Sequence, residues 1–107
     1  MKAITAILLW AFAAVVYAAE PVWIDVRTAQ EFSGGHVEGA LNIPHGEVGD
    51  KVPAIVADKS TPIYLYCRSG NRAGKAKAAL ESLGYSHVSN LGSLAEAETK
   101  YANTQPM

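Results

Sequence analysis

A chain of 107 residues with nine basic and ten acidic side chains has the length of one domain and carries no basic excess. It has no Lys/Arg run and no basic stripe interleaved with aromatics, so nucleic acid is not an expected partner; phosphate neutralisation dominates such binding. The single cysteine, Cys67, rules out an intrachain disulfide framework and leaves an inert core thiol, an intermolecular pair or a reactive group.

The chain opens with Met1-Lys2, then a run from 3 to 16 that is apolar apart from Thr5, then the small-residue pattern Val16-Tyr17-Ala18. That is the layout of a secretory signal peptide: positive start, apolar stretch, cleavage site. Residues 1–18 are expected to be removed, leaving one domain over 19–107 in an exported, periplasmic setting. The alternative is a retained anchor. The apolar run over 3–19 sits at the short end of the roughly 17–25 residues that span a bilayer, and no basic stop-transfer cluster follows. Once the signal is cleaved, no stable membrane association is expected.

Val22-Trp23-Ile24-Asp25-Val26 is a short, mostly apolar β-prone run, as for a strand covered on both faces. Thr28 caps a short helix through Phe32, with Glu31 at capping-box spacing, and Gly34-Gly35 stops it. Ala40-Leu41-Asn42-Ile43 reads as a second strand closed by Pro44. A weak helical stretch around 48–56 follows, its length left open by Pro53. Ile63-Tyr64-Leu65-Tyr66 is the clearest strand. A strong helical pattern succeeds it: Ala73, Ala76, Leu80 and Leu83 share one face, Lys75, Lys77 and Glu81 turn away, and Gly84 suits the position just past the end. Ser86-His87-Val88-Ser89 is a last strand, and Ser93 caps a terminal helix to about Lys100; the structure of the tail over 94–107 is left open. Alternating strands and helices make an α/β domain, a short parallel sheet with helices on both faces. Right-handed crossovers put every strand's C-terminal end on one edge, where such sheets hold their sites. Cys67 lies at one of those ends.

Between strand and helix stand Cys67, Arg68, Ser69, Gly70, Asn71 and Arg72. So short a turn points successive backbone N–H groups inward as an anion-binding nest, and the helix aims its positive end at the same point. Both favour thiolate over thiol; such cysteines titrate at about 3.5–7.5 rather than about 8.5. Arg68 and Arg72 add charge able to bind an anion, and Gly70 permits backbone geometry that a side chain would obstruct. A persulfide fits the same cradle.

Cys67-Arg68-Ser69-Gly70-Asn71-Arg72-Ala73 resembles the active-site loop of single-domain rhodaneses. Asp25-Val26-Arg27 with Glu31 is similar to that family's early strand–helix signature, and 36–44 is similar to its H-x-x-G-A-x-N-I-P segment. Val88-Ser89-Asn90-Leu91-Gly92 is similar to its late strand and turn. The resemblance covers 22 to about 93 and, with the leader, is greatest to small periplasmic rhodaneses. It implies a rhodanese-like fold and a thiosulfate sulfurtransferase needing no cofactor. Its partners would be a small-molecule sulfur donor and a thiophilic acceptor such as cyanide or a thiol. It implies that Cys67 is the nucleophile and persulfide carrier, with Arg68, Ser69, Gly70, Asn71 and Arg72 forming the substrate-binding loop. Asp25, Arg27, Glu31, His36 and Asn42 fall on motif positions that support the scaffold. The sequence departs from the family where Gly92 is followed by Ser93 and where no Trp follows Trp23.

Three rivals stand beside this reading. A cysteine phosphatase or arsenate reductase needs C-x5-R, but position 73 is Ala and the Arg sits at 72, which makes a tighter cradle. A non-catalytic or persulfide-carrier module on the same fold is the second, since fold does not fix function. A thiol–disulfide oxidoreductase needs a resolving cysteine, which is lacking. No metal is expected, because His36, His45 and His87 have no ligand-like spacing. Trp23 and Tyr64 read as core residues, and Tyr66 as a neighbour able to line the site.

Overall fold

The computed structural model describes residues 20–105; the expected signal peptide lies outside them. In chain order the elements are β1 (Val22–Asp25), α1 (Ala29–Ser33), β2 (Leu41–Asn42), a 3-10 turn (His45–Glu47), α2 (Val48–Ile55), β3 (Ile63–Cys67), α3 (Asn71–Ser82), β4 (Val88–Ser93) and α4 (Leu94–Thr104). The four strands form one sheet in the order β2-β1-β3-β4, parallel at every pairing.

Alternation along the strands divides the interior in two. Ile24, Val26, Ile63, Leu65 and Cys67 join Val48 and Val52 of α2 and Ala73, Ala76 and Leu80 of α3 in the larger core. On the opposite face Tyr66, Val37, Ala40 and Ala97 pack with Trp23, Phe32, Leu94 and Tyr101. Trp23 meets Tyr64 and Tyr101 edge-on, at 4.8 and 5.3 Å between centroids, a favourable aromatic arrangement. Helices α2 and α3 therefore cover one face and α1 and α4 the other, which is the expected α/β architecture.

Three local expectations shift. Leu83 is 41% exposed rather than on the buried face. The helix ends at Ser82, so Leu83 turns outward, and Tyr85 fills the core with its hydroxyl donating to the Val56 carbonyl at 2.6 Å. The last strand is Val88–Ser93, not 86–89, because its partner decides its extent. Ile63, Tyr64 and Leu65 pair with Val88, Ser89 and Asn90, and after an irregularity Cys67 pairs with Ser93. Ladder pairing carries the strand through Asn90 and Gly92 against their local preference. The terminal helix runs to Thr104, with Ser93 and Glu96 forming a reciprocal capping box. The serine that departs from the family pattern is thus the residue that starts α4.

Candidate active site

The chain leaves β1 for β2 on one side and reaches β3 on the other, so the sheet reverses its winding between β1 and β3. The C-terminal ends of these two strands carry Asp25 and Cys67. Ligand sites in open α/β sheets fall at such a point.

The loop after β3 is built around the sulfur. Gly70 holds φ at +99°, a left-handed conformation that favours glycine, and its N–H donates to Cys67 Sγ at 2.9 Å. No side chain caps the start of α3, although the first N–H groups of any helix need an acceptor. Here the sulfur fills that role. Burial pushes the Cys67 thiol up, but the N–H groups of Ala73, Ser69, Gly70 and Arg72 together outweigh it and bring it below the ordinary thiol value. Cys67 itself is 1% exposed, while Arg68 and Ser69 beside it are exposed. The sulfur is covered, yet the amides face it.

The two loop arginines differ. The Arg72 guanidinium is clamped bidentately by Glu31, Nη1 on Oε1 at 2.8 Å and Nη2 on Oε2 at 3.1 Å. Glu31 Oε1 also accepts from the Thr28 N–H and hydroxyl in the α1 capping box. With Arg72 as the larger cause and the Thr28 amide next, its carboxyl is held down at about 2. One carboxylate therefore closes the cap of α1 and ties it to the start of α3. Arg68 makes no ion pair among the described residues and stands at the rim of the loop. Asn71 opens α3 with an exposed side chain.

The supporting residues gather beneath the strand ends. Asp25 is fully buried and accepts from Arg27 Nε and Nη2 at 2.7–3.0 Å and from the Arg27 backbone N–H at 2.9 Å. The same guanidinium donates to the Gly35 carbonyl at 2.6 Å, fixing the chain after α1. Asn42 donates to the carbonyls of Asp25 and Arg27 at 3.1 and 3.0 Å, holding β2 against the end of β1. His36 stacks on Phe32 at 3.6 Å and bonds its carbonyl oxygen through Nδ1 at 2.8 Å, contacts that hold it against α1. Tyr66 does not line the site. Strand alternation turns it to the opposite core, where its buried hydroxyl accepts from the Val37 N–H and desolvation raises it to about 12.

Sequence reasoning missed the role of Asn90. Its side chain donates to the Gly70 carbonyl at 2.9 Å and accepts from the Gly92 N–H at 2.9 Å, bridging the sulfur loop and the end of β4. The sole local signal is an Asn two residues before a Gly, the pattern of a side chain bonding its own backbone.

Comparison with known proteins agrees with this geometry. The family model described as Rhodanese-like domain matches residues 13–97. The thiosulfate sulfurtransferase PspE of Escherichia coli is 43% identical over 83 residues, which cover 78% of this chain and 79% of that protein. The Bacillus subtilis protein YqhL is 43% identical over 68 residues, 64% of this chain and 52% of its own length. Among solved structures, a rhodanese with anions from E. coli superposes with a TM-score of 0.69 at 40% identity, over 72% of this chain and 91% of that one. A rhodanese-like domain from the Anabaena Alr3790 protein gives 0.68 at 31% identity, over 81% and 97%. The chain belongs to the rhodanese-like domain family and is a sulfurtransferase.

Proposed function

We propose that Cys67 carries sulfur as a persulfide between thiosulfate, or a similar anionic donor, and a thiophilic acceptor such as cyanide or a thiol. The thiolate attacks the outer sulfur of thiosulfate. A new S–S bond forms as the old one breaks, and its electron pair leaves on sulfite. The acceptor then attacks the outer sulfur of the Cys67 persulfide and takes it, returning the electron pair to Sγ as thiolate. Charge and atoms balance in both steps, and no cofactor takes part.

The observation that carries this reading is the Gly70 N–H donating to the Cys67 sulfur at 2.9 Å, at a start of α3 that no side chain caps, with the neighbouring amides of Ser69, Arg72 and Ala73 also favouring the thiolate. Such oriented dipoles stabilise an anionic sulfur. Arg68, at the rim and without an ion pair among the described residues, attracts the donor anion. Arg72 acts through Glu31 in holding the loop to α1. Because Cys67 is 1% exposed, donor approach requires the exposed Arg68-Ser69 segment to give way, so alkylating reagents of increasing size should react progressively more slowly.

Intact-mass measurement after incubation with thiosulfate tests the reading. One added sulfur is expected on the wild type, removed by cyanide, with none on Cys67→Ser; sulfur transfer by Cys67→Ser at the wild-type rate would end it. Ping-pong kinetics are expected alongside. The same proposal places the mature protein in the periplasm after cleavage following Ala18; N-terminal mass analysis of exported material should begin at Ala19.

A further inference from the structure

We propose that Asn90 is a positioning residue for sulfur transfer: its carboxamide ties the Gly70 carbonyl to the Gly92 amide and so aims the loop's N–H groups at Cys67. The inference rests on the reading of Cys67 as sulfur carrier and identifies what holds its cradle in shape.

Gly70 is where the chain turns from loop into α3, and both of its peptide groups are engaged. Its N–H donates to Cys67 Sγ, and its carbonyl accepts from Asn90 Nδ2 at 2.9 Å and from the Gly74 N–H at 2.8 Å. A glycine at φ +99° has no side chain to restrict it. The direction of its N–H is set by the groups anchoring the peptides around it. Since α3 has no side-chain cap, Asn90 is the side chain that holds this turn from outside the helix.

Its other end is equally defined. Asn90 Oδ1 accepts from Gly92 N–H at 2.9 Å, and a Cβ placed on Gly70 would lie 3.4 Å from Gly92 Cα. The sulfur loop and the end of β4 are therefore in contact, with one amide side chain bonded to both. The task needs a donor and an acceptor on one short planar group, which asparagine has and aspartate lacks. It also accounts for an asparagine, a residue depleted in strands, at an exposed position of β4.

The test is the rate of Cys67 alkylation by iodoacetamide from about pH 5 to about pH 9, the range spanned by perturbed and ordinary thiols. The full chain is compared with Asn90→Ala, with folding checked by circular dichroism. The wild type should retain a reactive thiolate at low pH. Asn90→Ala should react about tenfold more slowly near pH 6 and converge on the wild type near pH 9, because a one-unit rise in thiol pKa costs a factor of ten in thiolate below it. A mere loss of stability would not recover with pH. Superimposable profiles for wild type and Asn90→Ala would overturn the positioning role while leaving the carrier reading intact. A wild type that titrates as an ordinary thiol would overturn the carrier reading and this inference with it. Should Asn90→Ala fail to fold, the near-isosteric Asn90→Asp is measured in about 1 M salt, where the Debye length of about 3 Å screens its exposed charge. A displaced profile there supports the role, and a wild-type profile overturns it.

Discussion

Replacing Asp25 by alanine should be among the most damaging single changes outside the sulfur loop. Its carboxylate is fully buried, and its two oxygens take Nε and Nη2 of Arg27 in a fork geometry, with the Arg27 backbone N–H as a further donor. Removal leaves a buried guanidinium with the Gly35 carbonyl at 2.6 Å and the Tyr66 ring at 5.8 Å as its remaining contacts. Stranding one partner of a buried pair costs about 3–5 kcal/mol. Domain stabilities run to about 5–15 kcal/mol, and each kcal/mol shifts Tm by about 4–8 °C at this size, so Tm should fall by roughly 12–40 °C. Urea denaturation measures the loss as a lower midpoint at unchanged slope. Removing Arg27 as well should cost less than the two single losses summed, by about 0.5–3 kcal/mol, the usual coupling of groups in contact. A loss below about 1 kcal/mol for Asp25→Ala, with an unchanged slope, would refute the view that this pair braces the strand ends.

Glu31, held at about 2 in the folded chain against an ordinary 4.5, contributes stability that is complete above the unfolded value. That stability fades as pH falls from about 4.5 towards about 2, and a Glu31→Gln variant should lack this phase of acid destabilisation in pH-dependent melting curves. Arg68→Ala should raise KM for thiosulfate about fivefold, the equivalent of about 1 kcal/mol from a rim charge, and flatten its salt dependence. Arg72→Ala should instead lower Tm by releasing the tie to Glu31, with a smaller effect on KM; steady-state kinetics and melting of both variants separate the two roles. Gly74→Ala should stabilise α3 by about 0.5–1 kcal/mol, because the added Cβ would sit at ordinary contact distance, 3.5 Å from Asn90 Nδ2; the urea midpoint should rise.

Most of the elements and the setting of Cys67 were legible from local chemistry. Thr28 and Glu31 announce the α1 cap at the spacing where they are found. The apolar run of β3 flows into the Cys67–Arg72 loop and a 3.6-residue pattern as expected. Such signals lie within a few residues of one another, where backbone preference and side-chain reach suffice. What stayed hidden was long-range. Arg72 pairs with Glu31, 41 positions away, a contact that no neighbouring residue announces. Asn90, ordinary in sequence, meets Gly70 20 positions back.

The same division runs through the strands. That they pair in parallel with helices on both faces follows from the alternation of strands and helices, but their order and the length of β4 were set by tertiary pairing, β4 by the ladder that β3 offered it. Tyr66 shows the reverse limit. Adjacent to Cys67 in sequence, it is turned to the other core because successive side chains of a strand point to opposite faces. That Cys67 stands at a strand end, in a turn leading straight into a helix, could be read along the chain. How its amides are held, which arginine is free and how far the sulfur is covered arise from contacts between segments, and no local pattern encodes those.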